Sequence, residues 1–192
     1  MSGESPFLAR LDQGPLLADG AMGTLLYSMG VGYEQCFDVL SESRPDLVRQ
    51  VHDRYIAAGA RLIETNTFGA NAVRLAEHGL GGRVRAINLA AARLACAAAR
   101  EGERDDDGRI WVAGSVGPLG AALSPLGPLG AEEAMSAYGA QIAALAEGGA
   151  DLIIVETQRD LVEARLALAA ARRHSALPVV VLLTFGEDGL TP

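Results

Sequence analysis

Two acidic residues stand where a ligand could meet them. Asp19 ends the short apolar run Leu16-Leu17-Ala18, and Glu156 ends the run Leu152-Ile153-Ile154-Val155. If both runs are parallel strands, their carboxylates converge on one mouth. There they could serve as acid and base, as metal ligands, or as a clamp for an ammonium group. Glu156 precedes a helix start, where partial positive charge favours the ionised form, and an ionised carboxylate suits cation binding better than proton donation. Ser115, Asn66 and Thr67 are neutral donors able to hold a carboxylate, as are backbone N–H groups just after Asp19. Those N–H groups belong to Gly20-Ala21-Met22-Gly23-Thr24. Two glycines three apart give access to positive φ and leave room for close approach. The stretch reads equally well as a tight strand-to-helix turn or as a ligand loop. Asp19 and Glu156 also have a plain structural reading, as caps or strand-end hydrogen bonds. For Glu64 that reading is the preferred one, because Glu64-Thr65 and Glu156-Thr157 repeat the same strand tip.

Other chemistries find less support. His52, His78 and His174 fall on helical segments and read as surface residues, so no Ser-His-Asp arrangement is expected. Cys96 lies among alanines in mid-helix and reads as core. Cys36 sits in a long first loop near the expected mouth, but one cysteine supplies too few ligands for zinc.

The elements that must position these groups alternate strand and helix. Strands are expected at Leu16–Asp19, Arg61–Thr65, Ile110–Ser115, Asp151–Glu156 and Pro178–Thr184. Helices are expected from about Leu47 to Ile56, Val73 to His78, Val84 to Arg100, Ala131 to Glu147, and from Thr157 through Arg173. Ser43-Arg44-Pro45-Asp46 and Thr157-Gln158-Arg159-Asp160 carry the capping-box pattern. Glu103–Gly108 reads as a charged surface turn. Continuous apolar strands between helices leave an open doubly wound sheet or a parallel (β/α)8 barrel. Polar residues at every strand tip favour the barrel, since an open sheet concentrates its ligand at one switch point. Only about the first five βα units of such a barrel are present, with residues 1–15 as a lead-in and 16–192 as the partial barrel.

Composition narrows the partners. The 192 residues carry a net charge of −8 with no basic cluster, which argues against nucleic acid. No apolar run approaches the roughly 20 residues of a membrane span. Met1–Arg10 lacks a signal-peptide layout, and two cysteines without ligand spacing fit a reducing compartment, so a cytoplasmic protein is expected.

Four motifs in order give a resemblance. Asp19 to Thr24, Glu64-Thr65-Asn66-Thr67-Phe68-Gly69-Ala70-Asn71, Gly114-Ser115-Val116-Gly117-Pro118 and Ile154-Val155-Glu156-Thr157 resemble the homocysteine S-methyltransferase family. Cys36-Phe37-Asp38-Val39-Leu40 before Ser43-Arg44-Pro45 is most similar to bacterial members joined to a methylenetetrahydrofolate reductase. The resemblance implies a barrel in which zinc binds homocysteine sulfur and the thiolate takes a methyl group to give methionine. It implies homocysteine and a methyl donor, which could be methyltetrahydrofolate, as substrates. It places Asp19 and Glu156 at the amino acid end of homocysteine, the glutamate by charge pairing with the ammonium, with close backbone contacts from Gly20, Ala21, Met22, Gly23 and Thr24. Ser115, Asn66 and Thr67 are expected at the same substrate as the neutral donors noted above. The family's three zinc cysteines lie after the sixth strand and near the eighth, beyond this chain. The expectation is therefore a catalytically incomplete module that needs the rest of the barrel or a second chain. The alternative is a non-catalytic fragment or binding module that self-associates through open strand edges.

Overall fold

The computed structural model describes residues 5–103 and 108–191, so most of the charged turn expected at 103–108 lies outside the described residues. Short runs of β-branched and aliphatic residues form four strands: β1 (Leu62–Glu64), β2 (Trp111–Val116), β3 (Leu152–Gln158) and β4 (Val179–Leu183). They make one parallel sheet in the order β1-β2-β3-β4, with Leu62 beside Trp111, Ala113 beside Leu152 and Ile153 beside Val179. The helices are α1 (Pro6–Leu11), α2 (Met22–Ser28), α3 (Leu40–Ser43), α4 (Pro45–Ala57), α5 (Ala72–Glu77), α6 (Val84–Gly102), α7 (Ala131–Gly148) and α8 (Leu161–His174). A helix-bearing crossover joins each strand to its parallel neighbour, as parallel pairing requires. The architecture is a partial (β/α) barrel.

The expected strand at Leu16–Asp19 is reduced to one parallel bridge between Ala18 and Leu62. Arg61 N–H donates to Leu17 O (2.8 Å) and Asp19 N–H to Leu62 O (2.9 Å), so the segment runs along β1 as the sheet's first edge. Its partner β1 is only three residues long, which limits the ladder.

Side-chain alternation divides the sheet into two faces. One face carries Leu62, Trp111, Ala113, Leu152 and Ile154, which cluster with Phe7 of the lead-in helix. Phe7 is 2 % exposed and meets the Trp111 ring edge-on at 5.3 Å between centroids. The lead-in thus closes this face from the end of the strands opposite their tips. The other face carries Ile63, Val112, Ile153 and Val155, which pack against the small residues of α6, α7 and α8. Continuing the first face toward the strand tips, the next residues are Glu64, Ser115 and Glu156. Apolar layers end where a polar layer begins.

Two expected caps are made differently. Ser43 ends α3 and its hydroxyl donates to Val39 O, so α4 starts at Pro45 without a side-chain cap. Asp160, not Thr157, caps α8 by accepting from Val162 N–H and Glu163 N–H, because Thr157 still belongs to β3. His52 also departs from expectation. It is fully buried, and neither ring nitrogen has a hydrogen-bond partner. Burial lowers its pKa from 6.5 to about 4.

That burial has a sign. Between pH 6.5 and about 4 the unfolded chain protonates His52 while the folded chain does not, so this contribution to stability is intact above pH 6.5 and lost as pH falls toward 4. Urea unfolding across this range should show a decline of a few kcal/mol assignable to His52. H52L should remove that part of the decline, and an unchanged pH profile would contradict the assignment.

Candidate functional site

The strand tips and the loops after them enclose a cavity of about 590 Å³, within the range of small-molecule sites. Its wall includes Asp19, Glu64, Ser115 and Glu156, contributed by the 16–19 edge, β1, β2 and β3. The Glu156 carboxylate accepts from Ser115 Oγ (2.5 Å) through Oε1 and from Thr157 Oγ1 (3.3 Å) through Oε2. The Asp19 carboxylate accepts from the Glu64 N–H at 3.0 Å. The Glu64 carboxyl shares this wall with those of Asp19 and Glu156.

The backbone around Glu156 is irregular. The register slips between Val155 and Gln158, leaving one extra residue on β3, and Thr157 takes a φ of +58°. A left-handed conformation at a β-branched residue costs about 1–2 kcal/mol. Bulges of this kind re-aim side chains near sites, and here the residues flanking the bulge are Glu156 and its hydroxyl partner.

Burial dominates the electrostatics. It raises Asp19 from 3.8 to about 7 against the opposing pull of the Glu64 N–H, with a smaller push from the Glu156 charge. Burial also raises Glu64 well above the carboxylate range, reinforced by the neighbouring Glu156 carboxyl and by the Asp19 charge. Such a mouth favours a cation.

The loops are held by their own side chains. Ser115 N–H donates to Thr65 Oγ1 (3.0 Å), and Thr67 Oγ1 donates to Ser115 O (2.7 Å). Thr67 has thereby used its only proton, so Thr65 is the donor in the 2.6 Å bond between the two hydroxyls. The result is a closed ring tying β1's tip to β2. Gly117 N–H donates to Phe68 O, and a Cβ on Gly117 would sit 2.7 Å from that same oxygen, so only glycine permits this loop crossing. Asn66 Nδ2 donates to Phe37 O (2.7 Å), and Asp38 Oδ1 accepts from Gly69 N–H (2.9 Å), joining the second loop to the first. Glu163, nearly buried, accepts from Leu119 N–H and Tyr138 O–H and pins the third loop.

The homocysteine S-methyltransferase family profile matches residues 16–191. The chain belongs to the homocysteine S-methyltransferase family. A methionine synthase of Mycobacterium leprae (strain TN) is 34% identical over 197 residues, covering 97% of this chain and 16% of that protein. A methionine synthase of Mycobacterium tuberculosis (strain ATCC 25618 / H37Rv) is 35% identical over 176 residues, covering 88% and 15%. Among solved structures, the metallated homocysteine methyltransferase MmuM from Escherichia coli superposes with a TM-score of 0.75 at 27% identity, covering 97% of this chain and 70% of that one. The chain therefore spans about one sixth of the length of the methionine synthases it matches.

Of the residues that the sequence singled out, Asp19, Gly20, Ala21, Met22, Gly23, Asn66, Thr67, Ser115 and Glu156 line the cavity, and Thr24 does not. Thr24 is exposed on α2. Thr67 is fully buried with its hydroxyl spent in the ring, so it positions the loop. Gly20 and Gly23 do not use the left-handed region that glycine opens to them. Their role is clearance, since added Cβ atoms would come within 3.0 Å of Tyr55 Oη and 3.3 Å of the Phe37 ring. Residues outside the sequence selection include Glu64, Phe37, Asp38, Arg74, Glu77 and His78 on the wall, and Tyr55, whose hydroxyl donates to Ala21 O. Glu64 was legible from its parity with the other strand tips. Tyr55, on a helix far along the chain, carried no such signal. Cys36 also lines the cavity, half-buried, with its thiol 3.9 Å from Asp38. Among the described residues no group of three or more His, Cys, Asp or Glu could hold a metal ion, so this residue set does not fit a zinc centre.

The Asp19 shift sets a stability prediction. Its folded pKa lies above its unfolded one, so the folded state is penalised as pH rises from 3.8 through about 7. D19N should raise stability by about 1–2 kcal/mol at pH 8, allowing for partial solvent screening. The gain should vanish below pH 4 in denaturant titrations. A gain independent of pH would contradict this.

Proposed function

We propose that this chain is a homocysteine S-methyltransferase module that grips the amino acid end of homocysteine, the acceptor in a methyl transfer that yields methionine. The supporting observation is the convergence of Asp19, Ser115 and Glu156 on one cavity at the strand tips. Glu156, oriented by Ser115 and Thr157, pairs with the substrate ammonium, and Asp19 lies beside it. Asn66 and the Gly20–Gly23 backbone line the wall on which the rest of the amino acid packs. This arrangement holds and orients the substrate; no residue here is assigned to the transfer step itself. Ligands for the zinc that the family implies would come from outside the described residues.

The two sheet edges support the remaining partner. The 16–19 segment carries one bridge, and β4 ends in Leu182 and Leu183, 48 % and 37 % exposed, followed by Phe185 at 55 %. In this proposal further strands of the barrel cover those edges, and a chain without them is inactive. A methyltetrahydrofolate donor rests on the likeness of residues 36–45 to reductase-linked members, and a cytoplasmic setting on two free cysteines. The same exposed edge favours a second reading, in which copies of the chain pair through β4.

Calorimetric titration with L-homocysteine tests the grip. Binding should be measurable for the chain, at least tenfold weaker in E156Q, and lost for the deaminated analogue 4-mercaptobutyrate. Equal binding of the deaminated analogue would remove the ammonium clamp. Light scattering of the purified chain separates the second reading, since a dimer abolished by L182K would support edge pairing and a monomer would dismiss it.

A further inference from the structure

The Glu64 carboxyl has no assigned part in the grip described above, yet its surroundings are unusual. It lines the cavity together with the Asp19 and Glu156 carboxyls, the Glu64 N–H donates to Asp19 at 3.0 Å, and the neighbouring Glu156 carboxyl adds to the rise of its pKa. Glu156 already takes Ser115 Oγ on one oxygen and Thr157 Oγ1 on the other. Among the described residues no donor reaches the Glu64 carboxyl. Two neighbouring carboxylates with no donor between them repel, unless one of them carries the proton that bridges the pair.

The charges around the pair leave few alternatives. Asp19 faces Glu64 from the sheet edge, Glu156 from β3 and the neutral Ser115 from β2, while α4 contributes only the Tyr55 hydroxyl near Asp19. Arg74, Glu77 and His78 share the cavity wall, but among the described residues no cation is a cause of the Glu64 shift. Arg74 is engaged with Pro118 O and the Phe68 ring. The sequence contains no lysine at all, since its 16 basic residues are all arginine. Nor does the cluster form a group that could hold a metal. The compact cation that could replace the bridging proton is a ligand's ammonium, which has three N–H donors for three carboxyl groups.

We propose that Glu64 holds a proton against Glu156 in the empty cavity and gives it up when a ligand's ammonium arrives, making Glu64 the third carboxylate around that ammonium. The O–H bond of the Glu64 acid breaks, its proton passes to solvent, and the ammonium keeps all three of its own protons. Binding of an amino acid and release of a proton are one event. Burial and the Asp19 charge also raise the Glu64 pKa, in line with this geometry. The inference rests on the amino acid reading of the cavity and adds to it a charge count. An empty site with a bridged pair has less self-repulsion, and only a positively charged ligand discharges it.

L-Methionine is the probe, because it has the ammonium but no thiol to titrate. Calorimetry at pH 7.5 in buffers of different ionisation enthalpy should show 0.5–1 proton released per methionine bound (a magnitude of roughly one acid group). The release should fall near zero in E64Q. Infrared difference spectra of the unmutated chain should show a protonated-carboxyl carbonyl band that disappears on saturation. Binding seen by equilibrium dialysis without proton release would overturn the inference and leave the amino acid reading intact. Release that survives in E64Q, or an empty protein with no acid band, would overturn it as well. An acid band present with no methionine bound at any concentration would instead sink the amino acid reading, and the release step with it.

Discussion

Parallel strands place like positions in register, and the strand tips at one end of this sheet are acidic. The structure depends on that crowding. Leu62, Trp111, Ala113, Leu152 and Ile154 fill the lower layers with apolar contact, closed at the bottom by Phe7. One step further along the same face, Glu64, Ser115 and Glu156 meet in a half-enclosed space with Asp19 beside them. Burial makes their charges expensive and raises Asp19 and Glu64. Groups that are costly when empty and favourable when paired suit the cation-binding role proposed for them.

The rest of the upper end keeps this arrangement from relaxing. The hydroxyl ring of Thr65 and Thr67 consumes donors that could otherwise neutralise the carboxyl groups, and spends them on joining β1 to β2. Glu163 and Tyr138 do similar work for the third loop. The left-handed Thr157 holds conformational strain next to Glu156. Stability is given up at the mouth and recovered in the small-residue packing of α6, α7 and α8 around the outer face.

Periodicity and strand-tip chemistry made the alternation of elements, the parallel sheet and nine of the twenty cavity-lining residues readable from the sequence. Each error has a local cause. Leu16–Asp19 has strand composition, but its short neighbour β1 gives it one bridge. Thr157 has capping chemistry, but the bulge keeps it in β3 and leaves capping to Asp160. His52 is polar at a position that faces the core, a burial that residue type alone argues against. Glycine at 20 and 23 reads as backbone freedom and as room for a ligand; in the structure neither takes the left-handed φ, and the room goes to Tyr55 and Phe37. Glu64 was set aside as repeat architecture, although its parity with Ser115 and Glu156 was available in the sequence. What could not be read was which hydroxyls would be spent internally, since that depends on distances between loops.

The central claim is that the polar layer at the strand tips receives an amino acid by its ammonium group. A crystal structure of the chain soaked with L-selenomethionine tests it most directly, because anomalous scattering fixes the selenium and so the direction of the ligand. The account predicts the α-nitrogen within hydrogen-bond distance of the Glu156 carboxylate and in contact with Glu64 and Asp19, with selenium pointing away from them. A ligand bound with its carboxylate toward these residues, or bound outside the cavity, would contradict it.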